Sequence, residues 1–274
     1  MKKTLLIIAG ILLLSACSEY QKVYNGNDLD AKYKLGWKLY EAGKYHKADQ
    51  LFSQVDKYYK HKPVYQRLLF ADAVSLYHMK YYNAAGQKFR KFTQLYPESS
   101  KAEEADFYIV KSYYALSPKY SVDQSYTVRA IEEINRFLKK YPFSKYKSEV
   151  NKMNTTLQRK LERKYFEIAK LYYDLGRYKA AIRALNNYMV DFPGSYLKEP
   201  ALFYRYKAAA DLALNSVEDK KEERLQKAMS YYKNFMAKSK QVDLQKQAKK
   251  IYQTLEKEWS QMHQKSSPDT VENK

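Results

Sequence analysis

The sequence predicts an all-α fold, a right-handed α-solenoid of about five helix pairs plus a C-terminal capping helix, and three observations carry that prediction. Glycine and proline are scarce, 7 each in 274 residues, whereas sheets with tight turns need both for their special backbone angles. A short motif recurs as Gly43-Lys44-Tyr45-His46-Lys47-Ala48, Lys80-Tyr81-Tyr82-Asn83-Ala84-Ala85 and Gly176-Arg177-Tyr178-Lys179-Ala180-Ala181. Each copy follows apolar residues at three- and four-residue spacing and leads to a large apolar residue, Phe52, Phe89 or Leu185. An aromatic-Pro-x-Ser element also recurs, beginning at Tyr96, Tyr141 and Phe192. The 45% hydrophobic share is ample for a core and excludes global disorder.

The first element is a leader. Met1-Lys2-Lys3 is positive, and the apolar run Leu5 to Leu14 covers ten residues. As a helix such a run rises about 15 Å, half of a bilayer core of about 30 Å, so residues 1–16 read as a secretory signal peptide. The run ends in Leu14-Ser15-Ala16-Cys17, which resembles the bacterial lipobox. That resemblance implies that Cys17 carries diacylglycerol on sulfur, becomes the mature N-terminus and is N-palmitoylated. Acyl chains at ~0.8 kcal/mol per buried CH₂ would make the anchor effectively permanent. Ser18, in the place where Asp would follow, resembles the outer-membrane sorting signal. Cys17 is the only cysteine, so no disulfide forms within the chain. Residues 17–28 are polar and read as a lipidated tether, and residues 264–274 as a disordered tail. Within the tail, Asp269-Thr270-Val271 resembles an O-glycosylation acceptor of Bacteroidetes envelope proteins, with Thr270 as the acceptor.

Between the ends, the recurring motif matches the tetratricopeptide repeat (TPR), a pair of helices A and B of about 34 residues. Gly36, Ala73 and Ala169 are small where helices A and B must cross closely, and Ala48, Ala85, Ala130, Ala181 and Ala228 serve the same purpose on helix B. Phe52, Phe89, Ile134, Leu185 and Tyr232, four residues later, fill the groove between repeats. Gly43 and Gly176 stand where helix A ends. Proline of the aromatic-Pro-x-Ser element stops helix B, the serine is placed to cap the next helix, and Ser100-Lys101-Ala102-Glu103 offers a capping box. Five repeats result, roughly 29–65, 66–102, 103–148, 160–197 and 199–240. The turns Ser117–Ser125 and Asn215–Glu223 are stretched, and a helix over about Asp243–His263 caps the array. Residues 29–148 form an N-terminal half and 149–263 a C-terminal half.

Catalytic chemistry has no foothold. No phosphate-binding glycine loop, nucleophile elbow or His-Glu-x-x-His motif occurs. His46, His61, His78 and His263 are scattered without metal spacing, so no metal and no cofactor is expected. Adjacent acidic pairs such as Glu103-Glu104 point in different directions, as solvated helix faces do. A binding surface is expected instead. The groove-lining positions of helix A in this repeat fall on Asp30, Tyr33, Trp37 and Tyr40 in repeat one, and on Arg67, Phe70, Val74 and Tyr77 in repeat two. Tyr33, Trp37, Tyr40, Arg67, Phe70 and Tyr77 would make an aromatic strip with a cation beside it, suited to an extended peptide with aromatic side chains and a carboxylate. The same rings could equally pack between helices, since the chain holds 30 tyrosines. The formal charge of +20 suits acidic partners and anionic headgroups, and equally lysine-rich solubility; a periplasmic location demotes nucleic acid as a partner.

Lipobox, five repeats and the aromatic-Pro-x-Ser elements together resemble the BamD (YfiO/ComL) family of outer-membrane assembly lipoproteins, over residues 14 to 263. The resemblance implies a place in the β-barrel assembly (BAM) complex. Its C-terminal repeats would hold the periplasmic domains of the central, BamA-like barrel protein. Its N-terminal repeats would receive the C-terminal signal of unfolded outer-membrane proteins. Other BAM lipoproteins would be further partners. The alternatives are a TPR lipoprotein scaffold for peptidoglycan synthesis or envelope constriction, and the lipoprotein half of a nutrient-uptake pair.

Overall fold

The computed structural model describes residues 19–265, and every regular element among them is an α-helix. Cys17, the signal peptide and Thr270 lie outside the described residues. The helices are α1 (residues 19–25), α2 (Leu29–Glu41), α3 (Tyr45–Tyr59), α4 (Tyr65–His78), α5 (Tyr82–Leu95), α6 (Ala102–Leu116), α7 (Ser125–Lys140), α8 (Lys147–Asp174), α9 (Tyr178–Asp191), α10 (Lys198–Leu214), α11 (Glu218–Lys238) and α12 (Val242–Lys265). From α2 to α11 they fall into the helix pairs of five repeats, with α12 after them. No described helix is long and apolar enough to cross a membrane.

Two compact units divide between Leu157 and Gln158, inside α8. The sequence reading divides the halves at 148/149, but residues 149–159 contain neither Gly nor Pro, and α8 runs through them unbroken for 28 residues. The first unit has one core, with Leu51, Phe52, Tyr65, Leu68, Phe89, Phe92, Ile134 and Phe137 buried in it. Each such side chain contributes about 1.5–3 kcal/mol on burial. In the second unit, Phe166, Leu185 and Tyr188 form one cluster, and Phe203, Tyr206, Phe235 and Leu255 a larger one.

The small residues sit where close helix crossing demands them. A Cβ on Gly36 of α2 would lie 2.7 Å from Cε1 and 2.9 Å from Cδ1 of Phe52 on α3. Ala48, Ala73, Ala85, Ala130, Ala169, Ala181 and Ala228 are all fully buried. Helix A ends identically in three repeats. The Gly43 amide donates to Tyr40 O at 3.0 Å and Lys44 to Leu39 O at 2.8 Å. Lys80 and Tyr81 repeat this with Tyr77 and Leu76, and Gly176 and Arg177 with Tyr173 and Tyr172. This double bond pattern needs a left-handed residue at its centre. Gly43 and Gly176 supply it with φ of 70° and 68°, and Lys80 adopts it at 65°.

The tyrosines answer a packing problem. Their rings fill the space between helices while their hydroxyls find an acceptor on a neighbouring one. Tyr65 donates to Asp56 at 2.8 Å, Tyr141 to Asp106 at 3.0 Å, Tyr173 to Asp211 at 2.6 Å, and Tyr59 to Asp30.

Helix B ends at each aromatic-Pro-x-Ser element, with Tyr96, Tyr141 and Phe192 as the C-cap residues of α5, α7 and α9. The serine then does more than cap. Ser144 Oγ accepts from the Tyr146 amide at 3.0 Å and donates to Glu103 at 2.6 Å. Ser195 Oγ accepts from the Leu197 amide at 3.0 Å and donates to Glu162 at 2.7 Å. Ser239 donates to Glu199 at 2.9 Å, and Gln66 donates to Ser99. The end of each of these repeats is thus latched to its own helix A. The capping box does not form: α6 has Lys101 as its N-cap without a side-chain bond, and Glu103 accepts from Ser144 instead.

Two further elements depart from the sequence reading. The stretched turn expected over Asn215–Glu223 is short, because α11 starts at Glu218, where Glu218 and Asp219 suit the positive end of a helix. The segment read as a tether is helical over residues 19–25 and packs on the first repeat. The other stretched turn, after α6, is present, and Gln124 closes it by donating to Lys119 O at 2.8 Å and Val122 O at 2.9 Å.

Candidate functional site

The first unit carries a cleft of about 400 Å³ beside α2 and α4. Trp37, Tyr40 and Glu41 come from α2; Gln66, Arg67, Phe70 and Ala71 come from α4. Pro63, Phe92 and Lys101 complete the lining. Helical spacing accounts for the set: residues three and four apart share one face of a helix, so Trp37 and Tyr40 align, as do Arg67 and Phe70.

The guanidinium carbon of Arg67 lies 3.9 Å from the Trp37 ring centroid, a stacked cation–π contact. Arg67 also approaches Glu41 at 3.7 Å, with both side chains 66% exposed. An exposed pair of this kind is worth at most ~1 kcal/mol, so exchanging Glu41 for a ligand carboxylate costs little. On the opposite rim, Lys101 Nζ lies 5.4 Å from the Phe70 ring centroid and bonds Glu104 at 2.8 Å. Burial, then the neighbouring Tyr45, Tyr108 and Glu104, push the Tyr40 hydroxyl up to about 12, so it stays a neutral donor. The site therefore offers apolar rings, one neutral hydroxyl and two cations. It holds no nucleophile–base pair, and no cluster of three or more metal-ligating side chains occurs among the described residues.

Four of the six expected groove residues, Trp37, Tyr40, Arg67 and Phe70, are brought together here. The other two lie elsewhere. Tyr33 packs on Tyr59 with ring centroids 4.6 Å apart. Tyr77 sits in an aromatic cluster with Tyr82 at 5.4 Å and Tyr108 at 5.0 Å. Val74 is buried, and Asp30 holds the Tyr59 hydroxyl. Sequence reasoning missed Pro63 and Lys101, which precede α4 and α6 and so escape any rule based on positions within helix A. Gln66 is a near miss, one residue before the predicted Arg67.

The chain is similar to solved helical-repeat structures at low identity. The TPR2AB-domain–pHSP90 complex of yeast Sti1 is 15% identical, covering 83% of this chain and 98% of that one, with a TM-score of 0.41. A thermophilic TPR protein of Thermus thermophilus is 16% identical over 82% of this chain and 98% of that one, with a TM-score of 0.31. No curated protein sequence matches the chain. A family model described as "Outer membrane lipoprotein" matches residues 27–225, all five helix pairs except the end of the last. With lipobox-like leader, repeats and family match in agreement, the chain belongs to the YfiO (BamD) family of outer membrane lipoproteins.

Proposed function

We propose that this protein is a non-enzymatic component of the machinery that folds and inserts β-barrel proteins into the outer membrane. In this reading Cys17 carries the lipid and the repeats face the periplasm. The second unit holds the periplasmic domains of the central barrel protein, and other lipoproteins of the complex join it there. The cleft beside α2 and α4 receives the C-terminal strand of an unfolded barrel protein.

The observation that carries the reading is the stacked Arg67–Trp37 pair at the rim of an aromatic cleft. An extended chain ending in an aromatic residue needs a flat apolar wall for its ring and a cation for its carboxylate. Trp37, Tyr40 and Phe70 supply the wall, and Arg67 supplies a planar fork matched to a carboxylate. A TPR protein presents such a face by the nature of the repeat, since helix A lines the groove.

Titration of a fluorescent peptide copying the C-terminus of an outer-membrane barrel tests this site. Arg67→Ala removes one solvent-exposed charge-assisted contact, about 1 kcal/mol, so Kd rises roughly fivefold. Trp37→Ala loses more, because ring area and cation–π contact go together. Unchanged affinity in both variants removes the assignment.

A further inference from the structure

Helix α1 changes what a lipid on Cys17 does. Ser18 alone separates Cys17 from Glu19, the first residue of α1, and a chain of that length spans at most about 7 Å. Helix α1 is fixed to the first repeat. Tyr20 is only 9% exposed, and its hydroxyl donates to Gln50 Oε1 of α3 at 2.6 Å. Lys47 Nζ stands 4.8 Å from the Tyr20 ring centroid, and Tyr24 stacks on the same ring at 5.6 Å. Val23 and Tyr24 pack against the core of the first unit.

The exit from α1 is equally constrained. The Gly26 amide donates to Lys22 O at 3.0 Å, and the Asp28 carboxylate caps α2 by accepting from Asp30 N at 3.0 Å and Ala31 N at 2.9 Å. Residues 26–28 alone join the two helices. Gln21, Lys22 and Asn25 are left exposed on α1, with Lys44 exposed at the turn before α3. With Glu19 also exposed, this side of α1 is polar and carries one acid and one base; it presents no large apolar side chain, and the single-residue spacing from Cys17 is what sets it beside the headgroups.

We propose that the acyl chains on Cys17 hold the first repeat directly against the outer membrane, with the exposed side of α1 seated on phospholipid headgroups. The inference rests on the lipoprotein reading above and adds an orientation to it. The peptide cleft and α1 share one core, since Trp37, Tyr40, Val23 and Tyr24 all pack on it. A client strand is therefore received beside the membrane it must enter, and not at the end of a free leash.

The test uses the full lipidated protein bound to vesicles of phosphatidylethanolamine and phosphatidylglycerol. Gln21→Cys supplies the single free thiol for a nitroxide label, because Cys17 is blocked by its lipid. A second variant carries, in addition, a Gly/Ser insertion of about 15 residues between Ser18 and Glu19, whose ends sit ~20 Å apart on average. Collision of the label with a water-soluble nickel reagent is expected to fall severalfold on vesicle binding, and to recover with the insertion. Flotation of both variants is scored separately. Protein that floats while its label stays equally open to the reagent with and without the insertion overturns the orientation alone. Protein that does not float overturns both the orientation and the lipid anchor.

Discussion

Gly36→Ala is the sharpest test of the packing logic. The new methyl would sit 2.7 Å and 2.9 Å from two Phe52 ring carbons, and Leu51 Cβ is 3.5 Å away. Phe52 is fully buried, so its ring has nowhere to swing. Overpacking of this kind costs about 1–3 kcal/mol, while Ala returns about 1 kcal/mol of helix propensity over Gly. The net loss is then ~1 kcal/mol. In a Phe52→Leu background the ring edge is gone and only the propensity gain remains, so the same substitution stabilises. The two sites should show a coupling of about 1–3 kcal/mol in a double-mutant cycle. Urea unfolding followed by circular dichroism reads it directly. If Gly36→Ala has the same effect with and without the Phe52 ring, close approach is not why glycine stands there.

The turns, the latches and one buried carboxylate can each be perturbed singly. Lys80→Gly relieves the left-handed strain that Gly43 and Gly176 avoid, and should stabilise by about 0.5–1 kcal/mol in thermal unfolding, while Gly43→Ala should cost about 1 kcal/mol. Ser239→Ala removes the hydroxyl bonded to Glu199 and should cost about 1 kcal/mol in the same assay. Burial raises the pKa of Asp72 from 3.8 to about 7 despite its contact with Lys88, and the nearby Asp49 adds to the rise. A folded pKa above the unfolded one means that this contribution to stability is full below about 4 and is lost as pH rises through about 7. Asp72→Asn should flatten that part of the stability–pH curve, and an unchanged slope would contradict the assignment.

The fold was legible because its rules are local. Gly43, Ala48 and Phe52 lie within ten residues of one another, and each reports a requirement of one helix crossing or one helix end. Pro97, Pro142 and Pro193 each follow the C-cap of a helix B, where a residue without an amide hydrogen bars the next turn on local grounds alone. The long-range pairs were hidden for the opposite reason. Ser144 and Glu103, or Ser195 and Glu162, are ordinary polar residues until the repeat closes and brings them together. The cleft was half legible for a related reason. Helical spacing aligns Trp37 with Tyr40 and Arg67 with Phe70, but it does not say which rings a neighbouring helix covers, and Tyr33 and Tyr77, on the same predicted face, pack on Tyr59 and Tyr108. Helix α1 escaped notice because its stretch, Glu19 to Asn25, is polar apart from Tyr20, Val23 and Tyr24, and three apolar residues give too little period to read.

The assembly role is tested most directly by isolating the tagged protein from its native envelope in gentle detergent and identifying what comes with it by mass spectrometry. A near-stoichiometric outer-membrane barrel protein carrying repeated periplasmic domains is the expected result. Recovery of cell-wall synthases or hydrolases without that barrel would contradict the assembly role, and would make the repeats a scaffold for peptidoglycan synthesis.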